Sequence, residues 1–316
     1  MKKLCLTLLW LPLAALAQSY PTKPVKLLIG FAAGGPTDVI GRIVAQDMSA
    51  TLGQTVIVEN KPGATSMIAT QEVKRAAPDG YTLYMTTLTH SVNAVLYADK
   101  KPYDPINDFT PISLVCHLPL VMVAKGDSPF NTAADVVKAA KEKPGEISYG
   151  SSGNGGSAHL AGALVEALTG TKMLHVPFKG NAPALTEVMA GRVSFMFYPM
   201  VGIAEQVQQK RLKVLAVSTE KRHPDYPNVP TMSESGFPGF EQYTQGLGVV
   251  GLPASVVGLL NEAVRASLAK RETREKLNKL GAITEGGTTP AEFRAWLAKD
   301  LERWERVIKA AGVKPE

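Results

Sequence analysis

The sequence predicts an α/β fold in two lobes, each a mixed sheet flanked by helices, with a cleft between them. Three observations lead there. Short β-branched or apolar runs alternate with helical patterns along the chain. A strand–glycine–helix corner occurs twice, as VKLLIGF-AAGGPTD-VIGRIVA at 25–45 and as ISYG-SSGNGG-SAHLAGALVEAL at 147–168. The 316 residues suffice for two domains.

Taken in order, the chain begins with a basic pair, Lys2 and Lys3, then an apolar run from Leu4 to Leu16 and the small-residue site Ala15-Leu16-Ala17. Residues 1–17 therefore read as a cleavable signal peptide, too short to span a bilayer. A soluble, exported mature chain is expected, without a lipid anchor. Cleavage removes Cys5 and leaves Cys116 with no partner for an internal disulfide.

Residues 25–31 form an apolar strand, and Gly35-Pro36 starts a helix because proline at the first helical position loses no hydrogen bond. The β-rich run 55–59 is a second strand, closed by the turn Asn60-Lys61-Pro62-Gly63. A helix at 64–75 stops before Pro78-Asp79-Gly80, and 81–86 returns as a strand. Residues 112–124 are a long apolar stretch broken by Pro119.

From Thr132 the pattern restarts, with helices at 133–141, 158–168, 182–190 and 201–209 between strands at 147–149, 174–178, 193–198 and 214–219. Gly170 stops the second of these helices. A glycine-broken strand at 244–251 is followed only by helices. The last opens on the capping box Thr289-Pro290-Ala291-Glu292 and carries the apolar stripe Phe293, Trp296, Leu297, Trp304 and Ile308, a face expected to dock on one lobe. If the long strands at 112–124 and 244–251 cross between lobes, lobe one is residues 18–121 plus 248–316 and lobe two is 122–247.

The charge balance excludes some functions. Lys and Arg number 34 against 28 acids, for a net charge of +6, and they are dispersed except at 270–279, where acids interleave. Nucleic-acid binding needs a basic stripe, and none is present.

The two corners carry the candidate chemistry. A glycine turn entering a helix leaves backbone N–H groups uncovered, which suits a small anion. On residues alone, Gly34-Gly35 serves equally well as an anion cradle or as a tight turn. Asp38 reaches back toward the cap or contacts a ligand. The corner has neither the spacing of a dinucleotide fingerprint nor the lysine of a P-loop. The second corner adds donors from Ser151, Ser152, Asn154 and Ser157, and its helical continuation disfavours a hairpin at Asn154-Gly155.

Ser152 and His159 invite a serine-hydrolase reading, but G-x-S-x-G is missing and no acid is placed to orient the histidine. His90, His117, His175 and His223 stand singly, with no H-x-x-x-H metal pair. No enzyme activity, cofactor or metal is expected.

With these motifs in place, the chain resembles the Bug family, extracytoplasmic solute receptors of tripartite tricarboxylate transporters. The resemblance runs through FAAGGPTD and Arg42, ENKPGA at 59–64, PDGYTL at 78–83 and YDPINDFTPI at 103–112. It continues with YGSSGNGGSAHLAG at 149–162, HVPFKG at 175–180 and NVPTMSESGFPGF at 228–240. It implies a type II-like periplasmic binding protein, expected to be monomeric, that closes on a small carboxylate and delivers it to the membrane subunits of such a transporter.

Carried onto this chain, the ligand-binding positions are Phe31, Gly34, Gly35, Thr37 and Asp38 on one side and Ser151, Ser152, Asn154 and Gly155 on the other. Thr86 and Thr87 add hydroxyls or simply pack. Two departures bear on the ligand. Where the family often reads GAGG, this chain has Gly63-Ala64-Thr65-Ser66, which sets two hydroxyls, Ser66 among the binding candidates, beside the cleft. The strand at 193–198 reads VSFMFY without the common acidic residue, leaving Tyr198 as an aromatic wall, a hydrogen-bonding group or a core residue. A ligand sensor for a membrane signalling protein is the alternative within binding, and a hydrolase using Ser152 the alternative outside it.

Overall fold

The structure is a computed structural model and describes residues 20–238, 240, 244–252, 255–284 and 286–315. The expected signal peptide lies outside the described residues. The first half runs β1 (Val25–Ile29), α1 (Pro36–Leu52), β2 (Val56–Asn60), a 3₁₀ turn (Ala64–Ser66), α2 (Met67–Lys74), β3 (Thr82–Thr86) and α3 (Thr89–Leu96). Then β4 (Thr110–Lys125) leads into α4 (Ala133–Glu142), β5 (Ser148–Ser151), α5 (Ser157–Thr169), β6 (Leu174–Pro177), α6 (Asn181–Met189), β7 (Phe195–Pro199), α7 (Ala204–Gln208) and β8 (Leu212–Val217). The chain returns through β9 (Thr244–Gly251) and ends in α8 (Val257–Ala269), α9 (Arg271–Lys279) and α10 (Pro290–Ala311).

The strands form a curled mixed sheet in the order β2-β1-β3-β9-β4-β7-β5-β6, with β8 also paired to β4. β1 lies parallel to β2 and β3, and β5 parallel to β6 and β7, as crossover helices require. The long strand β4 joins the halves. Its first part pairs antiparallel with β9, from Thr110 opposite Gly251 to Pro119 opposite Thr244, and its last part pairs with β7 and β8.

β4 thus runs straight through Pro119, where the sequence suggests a break. Proline is tolerated because the strand changes partner there. Pro119 closes the β9 ladder, its carbonyl takes the Met200 N–H, and Leu120 donates to Ser218 Oγ.

Each half has its own core. Leu27, Ile29, Val44, Leu83 and Val249 belong to the first, and Leu120, Met122, Tyr149, Phe195 and Phe197 to the second. The stripe of α10 does not keep to one of them. Phe293 and Leu297 pack with Leu28 and Tyr84 of the first half, whereas Trp304 and Ile308 pack with Leu160 and Phe197 of the second. α10 therefore straddles both halves. It is pinned to α3 by Ser91 Oγ donating to Asp300 Oδ2 at 2.8 Å.

Candidate ligand-binding site

The first corner is shaped by its own aspartate. Gly35 is the cap of α1 with Pro36 behind it, and Gly34 takes a left-handed φ of 79° that favours glycine. Asp38 is buried and receives the Gly34 N–H at 2.9 Å, Arg42 Nε at 3.0 Å and Asn60 Nδ2 at 2.9 Å. Asn60 Nδ2 also reaches the Phe31 carbonyl at 3.0 Å, so both ends of the loop are tied to one carboxylate. Burial alone would raise the Asp38 carboxyl; the bonds from Arg42, Gly34 and Asn60 outweigh it and hold the group below the usual carboxylate range.

The second corner is braced from behind by histidines. Ser151 Oγ lies 2.6 Å from His175 Nε2 and accepts the Gly153 N–H at 3.1 Å. Gly155 N–H donates to His159 Nδ1 at 2.9 Å. The two imidazoles stack at 4.0 Å, with the Tyr149 ring beside them. Burial, together with the neighbouring His175, pushes His159 down to about 3, and burial pushes His175 down to about 4. Both are therefore neutral at pH 7. Ser152 and His159 do not form the pair a hydrolase would need, because the His159 acceptor is spent on the loop.

A third wall follows β2. Gly63, Ala64, Thr65 and Ser66 all take positive φ, at 138°, 44°, 48° and 74°. The turn is fixed by Asn93 Nδ2 donating to the Thr65 carbonyl at 2.9 Å, Thr70 Oγ1 donating to the Ser66 carbonyl at 3.1 Å, and a Ser66–Tyr84 hydroxyl contact. It packs so tightly on the residue that follows β1 that a Cβ at Gly30 would sit 2.4 Å from Ser66 Cβ.

These walls enclose a cavity of about 440 Å³ lined by Phe31, Thr65, Tyr97, Ser152, Asn154, Phe178 and Lys179, with Gly30, Gly63, Ala64, Gly153 and Pro177 between them. The halves meet beside it, where Ala32 N–H donates to the Lys179 carbonyl at 3.3 Å.

Of the residues singled out by sequence, Phe31, Ser152 and Asn154 line the cavity. Gly34, Gly35, Thr37 and Asp38 build the adjoining corner. Ser151 stands behind the second loop, and Gly155 packs on α3, where a Cβ would lie 3.1 Å from Val92 and 3.2 Å from Leu96. Ser66 is buried under the third wall. Thr86 donates to the Gly248 carbonyl, and Thr87 pairs with the Thr89 hydroxyl. Tyr198 is buried in the apolar cluster of Val121, Val188 and Met196, away from the lining.

Tyr97 was not legible as a site residue, and Phe178 and Lys179 appeared only as part of HVPFKG. No group of three or more potential metal ligands occurs among the described residues.

The sequence model described as tripartite tricarboxylate transporter family receptor matches residues 40–313. Among solved structures, the periplasmic binding protein BugD is 35% identical, covers 94% of this chain and 100% of its own, and superposes with a TM-score of 0.89. MatC from Rhodopseudomonas palustris, solved with bound malate, is 30% identical over 92% of this chain and 100% of its own, with a TM-score of 0.86. A further R. palustris protein, solved with adipate, is 32% identical over 94% of this chain and 100% of its own, with a TM-score of 0.88.

Proposed function

Because this chain belongs to the tripartite tricarboxylate transporter receptor family, we propose that it captures a small organic carboxylate between two lobes, 18–121 plus 248–316 and 122–247, in the periplasm. It hands that ligand, as a monomer, to the membrane subunits of a transporter of this type. The observation that carries the reading is the cavity between two glycine corners contributed by opposite halves of the sheet. Its lining offers main-chain groups, the hydroxyls of Thr65 and Ser152, the amide of Asn154 and the cation of Lys179. That donor set suits a carboxylate, which gains roughly 1.5–3 kcal/mol from each charge-assisted hydrogen bond. Bound malate and adipate in two related structures support the same ligand class. No helix among the described residues is long and apolar enough to cross a membrane.

The ligand residues proposed are Phe31, Gly35, Thr37, Ser152 and Asn154, with Gly34 and Asp38 shaping the first loop and Ser151 and Gly155 the second. Thermal-shift and calorimetric titration against a carboxylate library tests the reading. A ligand at 100 times its Kd should add about 2.7 kcal/mol of stability. No shift and no heat across the library would sink it. Ser152→Ala is expected to weaken binding, whereas loss of turnover on an ester substrate would favour the hydrolase instead.

A further inference from the structure

The strained turn at Ala64–Ser66 contains a side chain with an unspent hydroxyl. Left-handed backbone is uncommon for any residue with a Cβ and rarer still for a β-branched one, yet Thr65 has φ 48° and ψ 54° between two other non-glycine residues of positive φ. The conformation is enforced from below by Asn93, Thr70 and Tyr84. Strain that the surroundings over-determine concentrates where it positions a functional group. The group positioned here is Thr65 Oγ1. It makes no hydrogen bond to another described residue, it lines the cavity, and it faces the opposite corner so closely that a Cβ on Gly153 would lie 2.5 Å from it. The only charged residue on the same lining is Lys179, which forms no ion pair among the described residues.

We infer that Thr65 is a specificity-determining residue and that the ligand is a dicarboxylate. One carboxylate is held by the glycine corners. The second accepts a hydrogen bond from Thr65 Oγ1 and lies in the field of Lys179. The inference rests on the carboxylate-receptor reading and adds to it the number of charged ends and the residue that reads the second. A site built to hydrogen-bond a polar group discriminates against an analogue lacking it, because its own polar atoms are then left unpaired.

The test is calorimetric titration with pairs matched in chain length, succinate against butyrate and adipate against hexanoate, on the whole mature protein. The wild-type protein should prefer the dicarboxylate of at least one pair by tenfold or more. Thr65→Val keeps the branched shape and deletes the hydroxyl, and it should cut that preference by about tenfold. Thr65→Ser should retain the preference within about threefold. Lys179→Gln should weaken dicarboxylate binding and flatten its salt dependence. A Thr65→Val protein with wild-type preference, or a wild-type protein that binds mono- and dicarboxylates equally, overturns the inference and leaves the receptor reading standing. Failure to bind any carboxylate overturns both.

Discussion

Replacing Asp38 with asparagine tests whether a buried carboxylate, and not glycine alone, shapes the first corner. Asp38 gathers four short contacts: Gly34 N–H, Arg42 Nε, Arg42 Nη2 and Asn60 Nδ2, all within 3.0 Å. The amide keeps one acceptor oxygen but turns an NH₂ group toward donors, so about two charge-assisted bonds are lost at roughly 1.5–3 kcal/mol each. Arg42 is 52% exposed and can return its charge to water, which limits the cost to the lower end, about 3 kcal/mol. For a chain of this size, that corresponds to a fall in Tm of roughly 5 °C.

The pH dependence has a definite sign. The Asp38 carboxyl is held below its ordinary 3.8, so its contribution is fully present above that value and is lost as pH falls through the folded-state value. Urea denaturation of wild type and Asp38→Asn at pH 7 and again near pH 3 measures both effects. The stability gap should be about 3 kcal/mol at pH 7 and narrow below pH 3.8. A gap under about 1 kcal/mol at pH 7, or one of equal size at both pH values, would refute the reasoning.

Two further expectations concern the braces around the cavity. Gly30→Ala forces a Cβ against Ser66 Cβ at 2.4 Å and Ser66 Cα at 2.7 Å, so it should lower Tm and abolish carboxylate binding, with Ser66→Gly restoring part of both in a calorimetric scan. His159 and His175, depressed to about 3 and about 4 from 6.5, contribute stability that is present above pH 6.5 and drains away as pH falls toward 4. His159→Asn keeps an acceptor for the Gly155 N–H and removes one titration. It should therefore show a shallower decline of Tm over that window, and an unchanged slope would contradict the assignment.

What the sequence discloses here is whatever short-range chemistry decides. Gly34, Gly35 and Pro36 sit at fixed offsets from one another, so both the turn and the start of α1 are legible. The Thr289–Glu292 capping box is legible for the same reason. Helix α3 was hidden because its buried face is polar. Thr89, His90, Ser91 and Asn93 are all buried, and their partners come from Thr87, Pro105, Asp300 and the Thr65 carbonyl. A stripe whose polar groups find partners outside the helix does not resemble an amphipathic helix.

The passage of β4 through Pro119 was hidden likewise, since it depends on a change of partner strand. In the site, Phe31, Ser152 and Asn154 follow from the corners themselves. Thr65 is set by contacts from α2, β3 and α3, and Tyr97 reaches the lining from the far end of α3. Thr86 and Tyr198 show the converse, because residues at strand ends carry no mark in sequence of which side of the sheet they face.

The central claim is that a carboxylate bridges the two corners. A crystal structure with a carboxylate selected by thermal shift tests it most directly. One carboxylate group should lie within hydrogen-bond reach, about 3 Å, of donors from both the 31–35 loop and the 151–155 loop. A ligand bound by one corner alone, or seated outside the cavity, would contradict the account.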